Sequence, residues 1–512
     1  MQNINHIKAY CLIAILILGV FLYFYNLGKE SLLTDEYLSL HVTQQPIKNI
    51  IFAHNRESNP NTIPPLYEII LHFWLKIFGS GEFAQRSLSA MFGILSIYVL
   101  YRLARLLFDA QTGLLSALFS TFSFSWFYYF RQNRCYSLFI LLTLISFYSF
   151  FYHLKNKNSE LSLVGLITVN ILLTFTHYFS FLIIGLQVLF SSLHWKTDRR
   201  LPLNILFMCM WVGLVYLPWY PNFLYDCQRE PVLFYKTAHF NIARNLFDIM
   251  MILFFDFHFR WDPTLTIIYL PFIARGIIRL RKTKPDDFKY RLFYLLAIFI
   301  IPFIIIYSLT LSNRSRYYCT FYFPLSILLA IGVQKLKMDG IKKSVYCTIF
   351  FLIAFFNATD FYDFFRLPLY ENWRLAAQYV KSVPDYQNKE MVFVFQTRYN
   401  PPVFAYYLWQ NKLAGFFANN IATYEGYEKD LSSLGIKHRI CIIEDDNIRG
   451  EHFFEKVSSF PDDAWIWVFR YHDSFFYNNF RTRNRGRYFF HQIILNKEIP
   501  QIDFYLLKRI KQ

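Results

Sequence analysis

Runs of about twenty apolar residues recur along this chain, and no other feature narrows its fold so far. A bilayer core takes roughly 17–25 such residues per helix. Stretches of that kind fall near 8–26, 87–107, 112–130, 135–153, 161–178, 179–194, 202–219, 263–280, 291–311, 318–334 and 343–362, which makes eleven expected spans. The composition agrees: of 512 residues, 55% are hydrophobic and only 17% charged, against about 25% charged in soluble domains. A soluble fold has no means of hiding that much apolar surface, and a disordered chain would not contain it. The first run starts at Lys8 and has no small-residue cleavage site behind it. It reads as a retained anchor rather than a removed signal peptide.

The formal charge of +17 raises the question of nucleic acid, and the positions of the basic residues answer it. Short cytoplasmic loops carry excess Lys and Arg. With the N-terminus in the cytoplasm, five basic junctions fall on that side: Arg102/Arg105, Lys155/Lys157, Lys196/Arg199/Arg200, the run from Arg275 to Arg291, and Lys335/Lys337/Lys342/Lys343. Much of the charge is topology, so nucleic acid is not an expected partner. The seven cysteines include no C-x-x-C pair, which argues against a disulfide framework or a zinc ribbon. Two apolar segments are expected to lie in the interface: 244–259, which contains Asp248 and Asp256, and 64–78, which is too short to span.

From about 370 onward the pattern changes. Short β-rich runs at 391–396, 438–443, 464–469 and 488–495 alternate with polar or amphipathic stretches. Trp373, Ala376, Ala377 and Val380 recur at helical spacing ahead of the first run. The expected organisation is a polytopic α-helical membrane domain over 1–365, with a long first outer loop at 27–86, and a C-terminal extracytoplasmic α/β domain over 366–512.

On this topology the non-cytoplasmic face gathers Asp35-Glu36, Arg131-Gln132-Asn133-Arg134, His177-Tyr178 and Arg314-Ser315-Arg316-Tyr317. Basic residues there run against the charge bias, and ionisable groups near membrane depth are costly unless paired or functional. Carboxylates facing several arginines suit chemistry on a phosphorylated lipid. Arginine forks hold phosphate oxygens, and a carboxylate can take a proton from an attacking hydroxyl. Plainer readings exist for each. Asp35-Glu36 would serve as acidic residues at a helix start, Arg131 and Arg134 as snorkelling headgroup contacts, and His177 as an interhelical hydrogen-bond partner. Asp445-Asp446 fits an exposed turn better than a metal site.

The motifs TDEYLSL (34–40), PPLYEIILHFWLKIFGSGEFAQRSLSAMFG (64–93), RQNRCYSL (131–138), THYFSFL (176–182), SRYY (315–318) and YENWRLAAQYVK (370–381) stand in a familiar order. Over about 1–380 the chain resembles bacterial GT-C class membrane glycosyltransferases. The nearest likeness is to the glycosyltransferase family 39-like enzymes, related to protein O-mannosyltransferases and the lipid A aminoarabinose transferase. The resemblance implies transfer of a sugar from a polyprenyl-phosphate donor to an acceptor hydroxyl on the outer face of the cytoplasmic membrane, usually with inversion. It implies Asp35 as general base, with Glu36 orienting the acceptor or a nearby cation. It places Arg86, Arg134, Tyr136, His177 and Tyr178 at the substrate, and Arg316 and Tyr317 at the donor phosphate. The acceptor is left open between glycolipid, cell-wall polymer and protein. A divalent metal is left open too, because members of the wider class differ on it.

Two positions depart from the family pattern. Relatives commonly have His where Ile63 precedes the double proline, and often Glu where Gln132 stands. Altered substrate choice or a catalytically inactive relative would account for such losses, while Asp35 favours an active enzyme. A transporter or flippase for lipid-linked sugars is the reading from another class. It would be expected to show repeated halves and broken helices at the midplane, whereas here the polar residues gather on one face and no internal repeat is visible.

Overall fold

A computed structural model of the chain describes residues 2–52, 64–156, 159–229, 263–282, 290–310, 315–334, 365, 372–382, 391–395, 400–409, 428–430, 438–442, 465–470, 488–494 and 503–509. The chain divides into two compact units, one formed by Met1–Leu27 with Ile63–Phe364, the other by Gly28–Thr62 with Phe365–Gln512.

The first unit is helical. Among the described residues, five helices are long and apolar enough to cross a membrane: His6–Phe24, Glu82–Leu107, Tyr136–Lys155, Arg200–Cys227 and Arg291–Ser308. Glu160–Thr174, Ser180–Ser192 and Cys319–Val333 are shorter apolar helices. Large apolar side chains such as Ile13, Ile17, Phe21, Leu203, Leu206 and Leu214 face outward, as lipid-facing surfaces do. The expected span at 343–362 and the expected interfacial segment 244–259 lie outside the described residues.

The expected span 112–130 is interrupted. It forms two helices, Ala110–Thr121 and Phe124–Phe130, because Ser123 leaves helical geometry and its Oγ accepts the Trp126 N–H at 3.4 Å. The short second helix presses against Glu82–Leu107 at Gly93, where an added Cβ would come within 2.5 Å of the Phe130 ring. Likewise the expected span 318–334 opens with a 3-10 turn, Cys319–Phe321, preceded by another at Ser315–Tyr317, before the helix Phe323–Val333. That helix meets Pro263–Arg281 backbone to backbone: a Cβ on Gly276 would strike Leu328 O, and one on Gly332 would strike Phe272 O.

Deep in this unit three buried amides and hydroxyls close a ring. Ser146 Oγ donates to Asn170 Oδ1 (2.9 Å), Asn170 Nδ2 donates to Gln187 Oε1 (3.2 Å), and Gln187 Nε2 donates back to Ser146 Oγ (2.6 Å). All three residues are fully buried. The ring joins the helices Tyr136–Lys155, Glu160–Thr174 and Ser180–Ser192 and satisfies polar groups that lipid could not.

The second unit carries a six-stranded mixed sheet. Its strands are β1 (Met391–Phe395), β2 (Glu428–Asp430), β3 (His438–Ile442), β4 (Trp465–Arg470), β5 (Tyr488–Ile494) and β6 (Asp503–Arg509). The order is β2-β3-β1-β4-β6-β5, with β3, β1 and β4 parallel and the outer neighbours antiparallel. All five residues of β1 are buried, as befits a central parallel strand covered on both faces. Helices Trp373–Ser382 and Asn400–Trp409 pack against it. Phe404 lies 5.3 and 5.5 Å from the rings of Phe393 and Phe395, and Trp373 lies 6.3 Å from Phe395. The spacing of Trp373, Ala376, Ala377 and Val380 does mark a buried helix face.

Candidate functional site

The turn 131–134 follows the helix Phe124–Phe130, and all four of its side chains are buried. They turn in different directions. Arg131 Nη1 donates to the carbonyls of Leu22 (3.0 Å), Tyr23 (3.1 Å) and Tyr25 (2.8 Å), at the end of the helix Gln2–Phe24. Its guanidinium also sits 5.1 Å over the Phe127 ring. Arg131 therefore caps a helix and does not reach for headgroups.

Asn133 ties the turn down. Its Oδ1 accepts from Tyr67 OH (3.0 Å) and its Nδ2 donates to Gln85 Oε1 (3.1 Å), while Gln85 Nε2 donates to Ser80 O (2.7 Å). The Tyr67 hydroxyl also lies 2.8 Å from Ser89 Oγ, and Ser89 Oγ donates to the Arg134 carbonyl at 3.4 Å. These contacts fix the backbone of Arg134 against the helix Glu82–Leu107.

The electrostatics show what gathers around that arginine. His177 lies in the turn between the helices Glu160–Thr174 and Ser180–Ser192. Its imidazole is pushed down to about 3, first by burial and then by the cations of Arg134 and Arg316. Its Nδ1 accepts the Phe179 N–H at 3.2 Å, which fits the neutral ring. Phe139 stacks on it with centroids 4.9 Å apart, and Tyr136 stands at 6.2 Å. Phe179 continues the aromatic wall to Tyr317 at 5.7 Å, over whose ring the Arg316 guanidinium lies at 5.2 Å. Trp126 Nε1 donates to Cys319 O at 2.9 Å and so holds the turn that carries Arg316.

One acidic residue belongs to this cluster and escaped sequence reasoning. Glu68, on the helix Leu66–Phe78, is 1% exposed. It acts on the Cys135 thiol together with Arg134 and Arg316. Its signal was available as the lone carboxylate of the largely apolar run 64–78. Asp226 was missed as well: it is buried on the helix Tyr220–Arg229 and accepts a hydrogen bond from Tyr178 OH.

Of the expected residues, Arg134, Tyr136, His177, Arg316 and Tyr317 come together in the helical unit. Tyr178 turns to Asp226, and Arg86 Nη1 donates to the Leu27 carbonyl at 3.2 Å. Ile63, Arg314 and Asp445-Asp446 lie outside the described residues. Two arginines, Arg134 buried and Arg316 half-buried, beside one buried carboxylate make a net positive group, and its planar donors suit an anion with several oxygens, such as a phosphate. That donor set does not suit a metal ion. Among the described residues no three His, Cys, Asp or Glu side chains gather as metal ligands would.

Asp35 and Glu36 belong to the second unit, in the first turn of the helix Thr34–Thr43. Glu36 is fully buried, and its Oε2 accepts the Leu33 N–H at 2.9 Å. This is the return arm of a capping box. Asp35 is partly exposed. The plainer reading of the pair therefore describes Glu36, and Asp35 stands half-buried beside it.

The sequence pattern of the family described as dolichyl-phosphate-mannose-protein mannosyltransferase matches residues 62–220, a stretch that includes Glu68, Arg86, Arg134, Tyr136, His177 and Tyr178. The fold is similar to that of ArnT from Cupriavidus metallidurans bound to undecaprenyl phosphate, with a TM-score of 0.57 at 11% identity over 96% of this chain and 97% of that one. The chain has the GT-C fold. It is also similar to the archaeal oligosaccharyltransferase AglB from Archaeoglobus fulgidus, solved with an inhibitory peptide and a dolichol-phosphate. There the TM-score is 0.55 at 12% identity, over 91% of this chain and 70% of the other. Among curated proteins no sequence matches. The resemblance read from the ordered motifs is thus met by a family match and by GT-C neighbours of two kinds, at identities that carry the fold alone.

Proposed function

We propose that this GT-C chain is a membrane glycosyltransferase that moves a sugar from a polyprenyl-phosphate donor to an acceptor hydroxyl. The observation that carries the reading is the gathering of the buried Arg134 and the half-buried Arg316 around a neutral His177, with Arg134 and His177 inside the segment that matches the mannosyltransferase family. Negative charge grows on the phosphate as its bond to the anomeric carbon breaks. Fixed guanidinium donors in a dehydrated site stabilise that charge without reorganising. Asp35 takes the acceptor proton as the hydroxyl oxygen attacks the anomeric carbon, and the bonding pair leaves with the phosphate, inverting the centre. Glu36 supports this chemistry by holding the start of the Asp35 helix. No step is routed through a metal.

In this reading eleven spans cross the cytoplasmic membrane from a cytoplasmic N-terminus. The domain beyond 365 and the loop at 27–86 then lie on the outer side. The distribution of Lys and Arg supports that orientation. Cysteine labelling from either side of sealed vesicles, with probes at 40–52 and at 196, tests it.

Transfer itself is tested with purified protein in lipid vesicles, offered a panel of polyprenyl-phosphate sugars and a membrane extract as acceptor. Asp35→Asn should lower turnover at least a hundredfold with donor binding retained, and Arg134→Gln should weaken donor binding. Undiminished transfer in Asp35→Asn would move the base elsewhere. Donor binding with no transfer by the unaltered protein would overturn the enzymatic reading.

A further inference from the structure

The helix that carries Asp35 is ten residues long, too short to be stable by itself in water. Its stability has to come from what packs on it, and within the second unit the packing partners are C-terminal. Tyr407, on the helix Asn400–Trp409, accepts the Leu32 N–H through its phenol oxygen at 2.8 Å. Arg374, on the helix Trp373–Ser382, donates through Nη1 to Lys29 O (3.3 Å) and through Nη2 to Glu30 O (3.4 Å). The guanidinium lies 5.7 Å from the Tyr407 ring centroid, so the two side chains form one clamp. Tyr406 adds a ring contact with the buried Tyr37 at 5.8 Å.

Four of the five residues before the helix therefore have backbone groups held by named side chains: the carbonyls of 29 and 30 by Arg374, the N–H of 32 by Tyr407, and the N–H of 33 by Glu36. We infer that Arg374 and Tyr407 are positioning residues that set where the first turn of this helix, and so the Asp35 carboxylate, stands. The C-terminal α/β unit is then part of what builds the helix bearing the base. Its contribution is made more than three hundred residues away in sequence from Asp35.

The catalytic arm of this inference rests on the sugar-transfer reading; the structural arm does not. Hydrogen exchange of the full-length protein in lipid vesicles tests the latter. Tyr407→Phe removes one oxygen and keeps the ring. Exchange in peptides covering 30–43 should rise at least tenfold, with peptides of the helix Glu82–Leu107 unchanged. Arg374→Gln should raise exchange over the same peptides, and Arg374→Lys, which keeps a cationic donor, should restore part of the protection. In the transfer assay both Tyr407→Phe and Arg374→Gln should lower kcat about tenfold and leave the donor KM within twofold, whereas a merely unfolded fraction would lower signal without changing exchange selectively. Unchanged exchange at 30–43 in both variants overturns the clamp. Raised exchange with unchanged kcat overturns its bearing on catalysis. If the unaltered protein transfers no sugar while exchange rises as expected, the enzymatic reading fails and the clamp stands.

Discussion

Replacing Arg131 by leucine separates scaffolding from chemistry within a single turn. One nitrogen, Nη1, faces three carbonyl oxygens at 2.8–3.1 Å. Its two hydrogens serve two of those carbonyls at once, and hydrogen bonds to charged groups contribute about 1.5–3 kcal/mol each. The field at a helix C-terminus adds about 0.3–1 kcal/mol, and the Phe127 ring at 5.1 Å adds about 0.5–1 kcal/mol. Against these stands the desolvation of a guanidinium that is only 5% exposed, which costs several kcal/mol. The net loss expected is about 2–4 kcal/mol. At about 2 °C per kcal/mol for a long chain, Arg131→Leu should melt roughly 4–8 °C lower, read by tryptophan fluorescence in detergent. Turnover per folded molecule should stay within threefold. Loss of turnover by tenfold or more at an unchanged melting temperature would place Arg131 at the substrate and refute the capping assignment.

Three further outcomes are expected. Asp226→Ala and Tyr178→Phe should each lower turnover by about three- to tenfold, and the double variant should be no worse than the single ones, because both break one hydrogen bond; additive losses would show that the two act separately. Gly332→Ala should destabilise the helical unit by at least the roughly 1–3 kcal/mol typical of overpacking, since its Cβ would lie 1.9 Å from Phe272 O, and a normal melting curve would contradict that contact. His177 is held neutral down to about pH 3, below its ordinary value of about 6.5. Its contribution to stability is complete above pH 6.5 and declines as pH falls toward 3, where the unfolded chain takes up the proton that the folded chain refuses. His177→Gln should therefore flatten the acid side of a stability profile, and an unaltered acid limb would count against the burial described for it.

Much of this fold could be read from residue patterns, because long apolar runs and clustered basic loops are strong local signals. The helix at 373 and the strands β1, β3, β4 and β5 announce themselves by spacing and β-branched or aromatic content. Strand β2 has three residues, too few to show a period, and β6 (DFYLLKR) alternates imperfectly. The helix Asn400–Trp409 hides behind Pro401-Pro402, which look like loop residues but are tolerated in a helix's first turn. The break at Ser123 is invisible to hydropathy, since serine is mild enough to pass inside an apolar window. In the site, Arg134, His177 and Arg316 stand out because charge on that face needs a reason. Glu68 is one residue within the long motif at 64–93 and no pattern sets it apart there, and Asp226 stands in no motif. That Arg131 and Arg134 part company within four residues depends on which carbonyls lie nearby, and no spacing rule encodes that.

The hydrogen-bonded ring of Ser146, Asn170 and Gln187 has a consequence for how this lineage can change. Each member donates once and accepts once within the ring, so the three side chains form a closed circuit of one hand. Altering Ser146 or Asn170 strands a donor on one neighbour and an acceptor on the other, and lipid offers neither a partner. Altering Gln187 leaves Asn170 Nδ2 bonded to Leu166 O (2.9 Å) and strands the Ser146 acceptor alone. An apolar trio of similar volume would be a workable alternative, yet every one-step route to it passes through a worse protein. The three sites are therefore bound into a single heritable character, to be kept whole or replaced together, and substitutions at them should appear as correlated sets in related chains.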